Sequence, residues 1–266
     1  MSSWLTAVYR CLGADALKLR RTPALALAVF LPVLPPLLYF VYVLQRGNAG
    51  TPEDVSPVAW TVQGILSLWA IFLIPPFVAV ETSLLAGIEW SHGGWKHLFA
   101  LPVSRSAAYT AKFICAGALM GVATISICCF TMLSIWGLSQ LRVDAGFGAP
   151  LPIWQTLVLF SLIGAGSLWL LAVHGYVALR WPSFALNVAL ALAGLLGNFV
   201  LIESDLRLIY PWSLPPAIEN LAGPMVFGWG TRATPFDLFL IMLLALAGAG
   251  LFASLGVWRL SRRDVL

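Results

Sequence analysis

Four ionisable side chains crowd one stretch of this sequence: Glu81, Glu89, His92 and His97. Carboxylates and imidazoles so close together are the types that hold a metal, relay a proton or attack an ester. The spacing argues against a metal. His92 and His97 are five residues apart, whereas two ligands on one helix face stand four apart, and no His-Glu-x-x-His run occurs. The chain also lacks a Gly-rich loop closing on Lys-Ser or Lys-Thr, so it has no phosphate cradle of that kind. His174 is the only histidine inside an apolar run, followed by Gly175 and Tyr176, and is read as a hydrogen-bonding group between helices. Cys115, Cys128 and Cys129 lie within one apolar run and Cys11 near the start, a spacing that suggests neither a disulfide nor a metal. The expectation is a chain with no catalytic residue, metal or bound cofactor of its own. One enzymatic reading stays open, an intramembrane lipid-modifying enzyme built on Glu81, Glu89, His92 and His97, which would require turnover without ATP.

The elements that position these groups are hydrocarbon-compatible. Of 266 residues, 60% are hydrophobic and only 10% charged, against about a quarter charged in soluble domains. Apolar runs cover Ala24 to Leu44, Val58 to Val80, Phe113 to Leu138, Trp154 to Leu179, Phe184 to Ile202 and Phe236 to Trp258. Each approximates the roughly 20 residues with which a helix crosses about 30 Å of hydrocarbon. The fold class is therefore all-α integral membrane, with six transmembrane helices in a single domain over residues 1–266. The first run is too long for the core of a cleaved signal peptide. The connecting pieces are too short for a soluble catalytic domain, so such an activity must come from a partner.

A net charge of +4 would suggest nucleic acid in a soluble protein, but here the placement of the bases matters more, and no nucleic-acid partner is expected. With the N-terminus inside, the inner segments hold Arg10, Lys18, Arg20, Arg21, Lys96, Arg105, Lys112, Arg180, Arg259, Arg262 and Arg263. The outer ones hold Arg46, Arg142, Arg207 and Arg232. This asymmetry predicts both termini in the cytoplasm.

Residues 1–22 read as an interfacial helix. Leu5, Val8, Leu12 and Leu19 share a face, Arg10, Asp15 and Lys18 lie largely away from it, and Lys18, Arg20 and Arg21 can reach lipid phosphate. A plain basic flank that sets topology fits the same pattern. Pro32, Pro35 and Pro36 in the first run, and Pro75 and Pro76 in the second, predict kinked or interrupted helices. Gly117 and Gly121, and Ala189, Ala193 and Gly197, recur at four-residue spacing and form helix-packing faces, for a neighbour in the same chain or in a second copy. Residues 203–235 contain Tyr210, Pro211, Trp212, Pro215, Pro216 and Trp229, the signature of short helices dipping into the outer interface. Glu203, Asp205 and Glu219 with Arg207 either meet a substrate there or keep the segment wet. Gln63, Asn187 and Asn198 line a substrate route or bond between helices.

The inner loop, residues 81–108, holds most of the polar information. Ser83 to Trp95 permits a short helix, Gly93 and Gly94 end or bend it, and Leu101-Pro102 resists helical continuation. Glu89, Gly93, Trp95-Lys96, Leu101-Pro102-Val103 and Ser104-Arg105, followed by Tyr109 and Ala111-Lys112, resemble the inner loop of ABC exporter permeases of the type 2 family. The run from Trp95 to Pro102 is most similar to the lantibiotic-immunity and bacitracin-resistance branch. The resemblance implies a coupling helix docked in a separate ABC ATPase that binds ATP and Mg. Glu89 would be its coupling acid, while Trp95, Lys96, Leu101, Pro102 and Arg105 would shape the hairpin or touch the ATPase. It further implies a second permease, either another copy or a paralogue, a bacterial cytoplasmic membrane, and export of an amphiphilic peptide-like cargo. A membrane anchor that recruits an ATPase or sensor without transport is the other alternative.

Overall fold

The structure is a computed structural model that describes residues 2–47, 50–90, 104–142, 146–148, 150–201, 203–228 and 234–261. Among these the regular elements are helical. Helix α1 (Ser2–Leu19) precedes six helical spans. The first joins α2 (Ala24–Phe30) to α3 (Leu34–Arg46), and the second joins α4 (Pro57–Ser67) to α5 (Ile74–Trp90). The third is α6 (Arg105–Leu141), the fourth joins α7 (Ile153–Gly166) to α8 (Leu168–Arg180), and the fifth is α9 (Phe184–Leu201). A shorter helix, α10 (Leu214–Phe227), precedes the sixth span, α11 (Pro235–Ser261). Six crossings return the chain to the side it left. Hence α1, the end of α5, the start of α6 and the end of α11 share one side, the termini face, and α10 belongs to the other, the far face.

The prolines interrupt both spans as expected, in two different ways. Pro32 sits in a single 3-10 turn, Leu31–Val33, between α2 and α3. Before Pro75 and Pro76 the helix widens into a π segment, Leu68–Leu73, where the Ile74 N–H donates to Trp69 O five residues back. Neither proline can donate, and each ring crowds the carbonyl four residues earlier, so the wider turn relieves both constraints. Ser56 caps α4, its hydroxyl accepting from Ala59 N at 3.1 Å, and Ser104 caps α6 by accepting from Ala107 N at 3.3 Å. Arg142, just past α6, donates to the Val43 and Leu44 carbonyls at 3.3 and 2.8 Å and closes the end of α3.

The fourth and second spans are the most enclosed, with 61% and 50% of their apolar stretches buried against 22% for the fifth and sixth. They form the centre of the bundle, with α9 and α11 against α5 and α8 and the first span along α6. Leu192, Leu196 and Val200 on α9 point outward, the arrangement expected when the surroundings are lipid.

Close backbone approach occurs at glycines other than most of those expected. A Cβ at Gly248 would strike the Trp169 ring, at Gly256 Tyr109, at Gly166 Ile218, at Gly194 Trp212 and at Gly197 the Tyr210 hydroxyl. Gly117 and Gly121 have no such atom within 4 Å, and Ala189 and Ala193 are exposed. Of the five small residues expected at packing faces, only Gly197 meets a close neighbour within this chain. Most of these contacts seat an aromatic ring, and four-residue spacing does not report them.

Candidate functional site: an ion cluster where the second span meets the third

At the termini face α1 lies along the start of α6, burying Cys11 against Ala108 and Ala111 with Leu12 packed on them. Asp15 lies on that buried face as well, at 5% exposure, although its charge suggested the polar side. The reason is Lys112, two turns into α6, whose ammonium is 3.2 Å from Asp15 Oδ1. The same ammonium is 3.1 Å from Glu89 Oε1, and Lys18 reaches that oxygen from α1 at 2.7 Å. Two acids and two bases thus form a neutral unit spanning α1, the end of α5 and the start of α6.

The four members differ in burial. The side chains of Asp15, Glu89 and Lys112 are 7%, 3% and 4% exposed, whereas Lys18 is 41% exposed. Three charges removed from water hold only while each faces an opposite charge, so the geometry resists separation of the three helices. Nearby bonds add to this. Trp4 Nε1 donates to Ser106 Oγ at 3.1 Å, and Trp90 Nε1 donates to the Ala178 carbonyl of the fourth span at 3.1 Å. Tyr109, 3% exposed, packs beside Trp90, Leu179 and Val257.

Of the residues expected to couple the chain to a partner, Glu89 is drawn inward into this cluster. Arg105 opens α6 directly after its cap. Trp95, Lys96, Leu101 and Pro102, like His92 and His97, lie outside the described residues. What sequence reasoning missed is the set of partners of Glu89. The pattern alone lets Lys18 reach lipid phosphate or serve as a basic flank, and places Asp15 away from the apolar face. The available signal was Asp15 and Lys18 three residues apart on one helix, together with Lys112 at the edge of an apolar run, where a base calls for an acid.

A second polar group lies deeper. His174 is fully buried, its Nδ1 2.8 Å from Asn187 Oδ1. Asn187 Nδ2 has Ala79 O, Thr82 Oγ1 and Ser83 Oγ at 3.0, 3.0 and 2.9 Å. A carbonyl can only accept, which fixes Nδ2 toward α5 and makes His174 Nδ1 the donor to Oδ1. His174 therefore bridges spans, as its isolation suggested. Glu81 is also buried, and neither carboxyl oxygen has a hydrogen-bond partner. Of the four groups of the enzymatic reading, Glu81 and Glu89 are among the described residues, and His92 and His97 are not. Glu89 is occupied by lysines, and Glu81 shares no bond with it.

The geometry describes a six-span bundle whose second and third spans are locked by ion pairs at the two ends of one connecting segment. Residues 12–198, more than two-thirds of the chain, match the family model described as ABC-2 family transporter protein. The chain belongs to that family: it is a multi-pass permease subunit of an ABC transporter, a class that works with an ABC ATPase. No curated protein matches it.

Proposed function

We propose that this permease exports a membrane-active amphiphile, of the antimicrobial-peptide kind, in the manner of the lantibiotic-immunity and bacitracin-resistance branch. ATP and Mg are held by separate ATPase subunits seated on residues 91–103 at a cytoplasmic termini face, and two permease chains, identical or paralogous, form the working unit in a bacterial cytoplasmic membrane. Trp95, Lys96, Leu101, Pro102 and Arg105 form or border the docking hairpin. Glu89 acts one step inward. Helix α1 presents Trp4, Leu5, Tyr9 and Leu17 on its exposed side, a composition that suits a helix laid among lipid headgroups.

The observation that carries this reading is the cluster of Glu89, Lys112, Asp15 and Lys18. A push on the segment after Trp90 meets Glu89 one residue earlier, and through its lysines reaches α1 and α6 together. Such a linkage couples two sites only if both bias one conformational equilibrium. The test is Glu89→Gln in the reconstituted permease–ATPase complex, which keeps the side-chain shape and removes the charge. Cargo-stimulated ATP hydrolysis should fall at least tenfold while basal hydrolysis and assembly persist. Unchanged stimulation would remove Glu89 from the coupling path, and complex assembly without vectorial movement of cargo would support the anchor reading instead.

A further inference from the structure

The far face carries a second buried acid, Glu219, in different company. Helix α10 is not a span, yet it is deeply seated: Leu214, Ile218 and Ala222 are fully buried and Glu219 is 1% exposed. Its neighbours fix its depth. Ile218 fills the space over Gly166 at the end of α7, and Gly223 lies under the Gln63 side chain of α4. Ser67, the last residue of α4, contacts Glu219 itself at 3.0 Å. Eleven helical residues from Pro57 to Ser67 advance about 15 Å, half the hydrocarbon thickness. The helix is re-entrant, and backbone of that kind is tolerated where protein surrounds it.

The single hydroxyl hydrogen of Ser67 is shared between two contacts beside Glu219. Ser67 Oγ lies 3.0 Å from Gln63 O and 3.0 Å from Glu219 Oε1, and a hydroxyl has one hydrogen to donate. The Gln63 carbonyl can only accept. Both contacts are satisfied together when Ser67 donates to Gln63 O and the carboxyl of Glu219 donates to Ser67. That arrangement requires Glu219 to carry a proton.

Among the described residues no base is paired with Glu219, in contrast to Glu89. Helices α4 and α7, the π segment and the 3-10 turn Pro211–Ser213 contain no titratable residue. The 3-10 turn Asp205–Ile209 contributes Asp205 and the exposed Arg207. Helix α11 contributes Asp237 at its exposed first turn, where Thr234 N and Oγ1 donate to it, and Arg259 at the opposite end. Tyr39 of the first span, whose ring lies against Gly64 of α4, is the remaining titratable neighbour. Burial pushes the Glu219 carboxyl up to about 7, with the Ser67 contact working in the other direction.

We propose that Glu219 is a proton-binding site loaded from the far face, and that α10 occupies its re-entrant seat when the site is filled. Binding adds one proton from water to a carboxylate oxygen and breaks no bond. Release leaves an unpaired carboxylate at membrane depth, which draws α10 toward the aqueous side. The proposal does not depend on the cargo or on the coupling role of Glu89.

Infrared titration of the full chain in lipid nanodiscs tests it, from about pH 5 to about pH 9, a range that brackets documented buried carboxylic acids. A protonated-carboxyl C=O stretch that shifts in deuterium oxide should decline across that range. The Glu219 component of that band should vanish in Glu219→Gln and persist in Glu81→Gln, which removes the component of the other unpartnered carboxyl. Ser67→Ala keeps the acid and covers the case in which Glu219→Gln misassembles: it should raise the band frequency, because a donated hydrogen bond is lost. A band unaffected by Glu219→Gln, or unmoved in Ser67→Ala, overturns the proposal.

Discussion

Glu89 and Glu219 are buried to the same degree, 2% and 1% exposed, on opposite sides of the bundle. Glu89 faces two lysines within 3.1 Å, while Glu219 faces a serine hydroxyl and an amide side chain that leaves its own oxygen without a partner. The difference shows two ways of keeping a carboxyl out of water. Pairing yields a neutral unit that moves as one body, suited to transmitting displacement. Isolation yields a group whose tolerance depends on a proton, suited to sensing the solution on its side.

The largest effect should come from breaking the paired site at its centre. Lys112→Ala leaves Asp15 without a base at bonding distance and Glu89 with only the half-exposed Lys18. Removing one member of a buried ion pair costs about 3–5 kcal/mol. Thermal unfolding of the purified permease should register that loss, and a wild-type melting curve would erase the contrast between the two sites. Next comes the pH response of the isolated site. The folded Glu219 carboxyl stands at about 7, above its ordinary 4.5. The stability it contributes is complete below the ordinary carboxylate range and is lost as pH rises through about 7, by up to ~3 kcal/mol. Melting temperatures from pH 5 to pH 8.5 should fall more steeply in the wild type than in Glu219→Gln, and parallel slopes would contradict the isolation of Glu219.

The two sites were unequally legible in the sequence. Six spans followed from runs of about 20 apolar residues, because the bilayer sets a length that composition alone can meet. Pro75 and Pro76 announced a break, though not its π form, since the choice between a kink and a widened turn depends on packing around Trp69 and Phe77. Glu89 stood out as a candidate through its loop, yet Asp15 and Lys112 are 97 residues apart and meet only when α1 folds back along α6. Glu219 reads in the sequence as either a substrate contact or a solvated acid, because nothing within residues 203–235 reports how deep the helix Leu214–Phe227 is seated. Its depth is set by Gly166 and Gly223, which accept Ile218 and Gln63, and no local pattern encodes a pairing across that distance.

Smaller perturbations sharpen the comparison. In Gly194→Ala the new methyl meets the Trp212 ring on the approach to the α10 seat, and overpacking of this kind costs about 1–3 kcal/mol. Gly121→Ala adds a methyl in open space, and the isolated chain should gain up to ~1 kcal/mol from the stiffer helix. A lower yield of paired permeases in Gly121→Ala, with the single chain unharmed, would place a second chain on that face.

The least effect should come from Lys18→Met, although Lys18 makes the shortest contact in the cluster at 2.7 Å. Distance alone would rank it above Lys112. Exposure reverses the order, because a side chain 41% exposed keeps much of its hydration in either state and its pair is screened by solvent. Glu89 retains Lys112 at 3.1 Å after the substitution, so no buried carboxylate loses its last base. The stability change should lie below ~1 kcal/mol and shrink further in high salt. If Lys18→Met proves as damaging as Lys112→Ala, the cluster is held by contact length, and the distinction between a paired and an isolated acid must rest on geometry in place of desolvation.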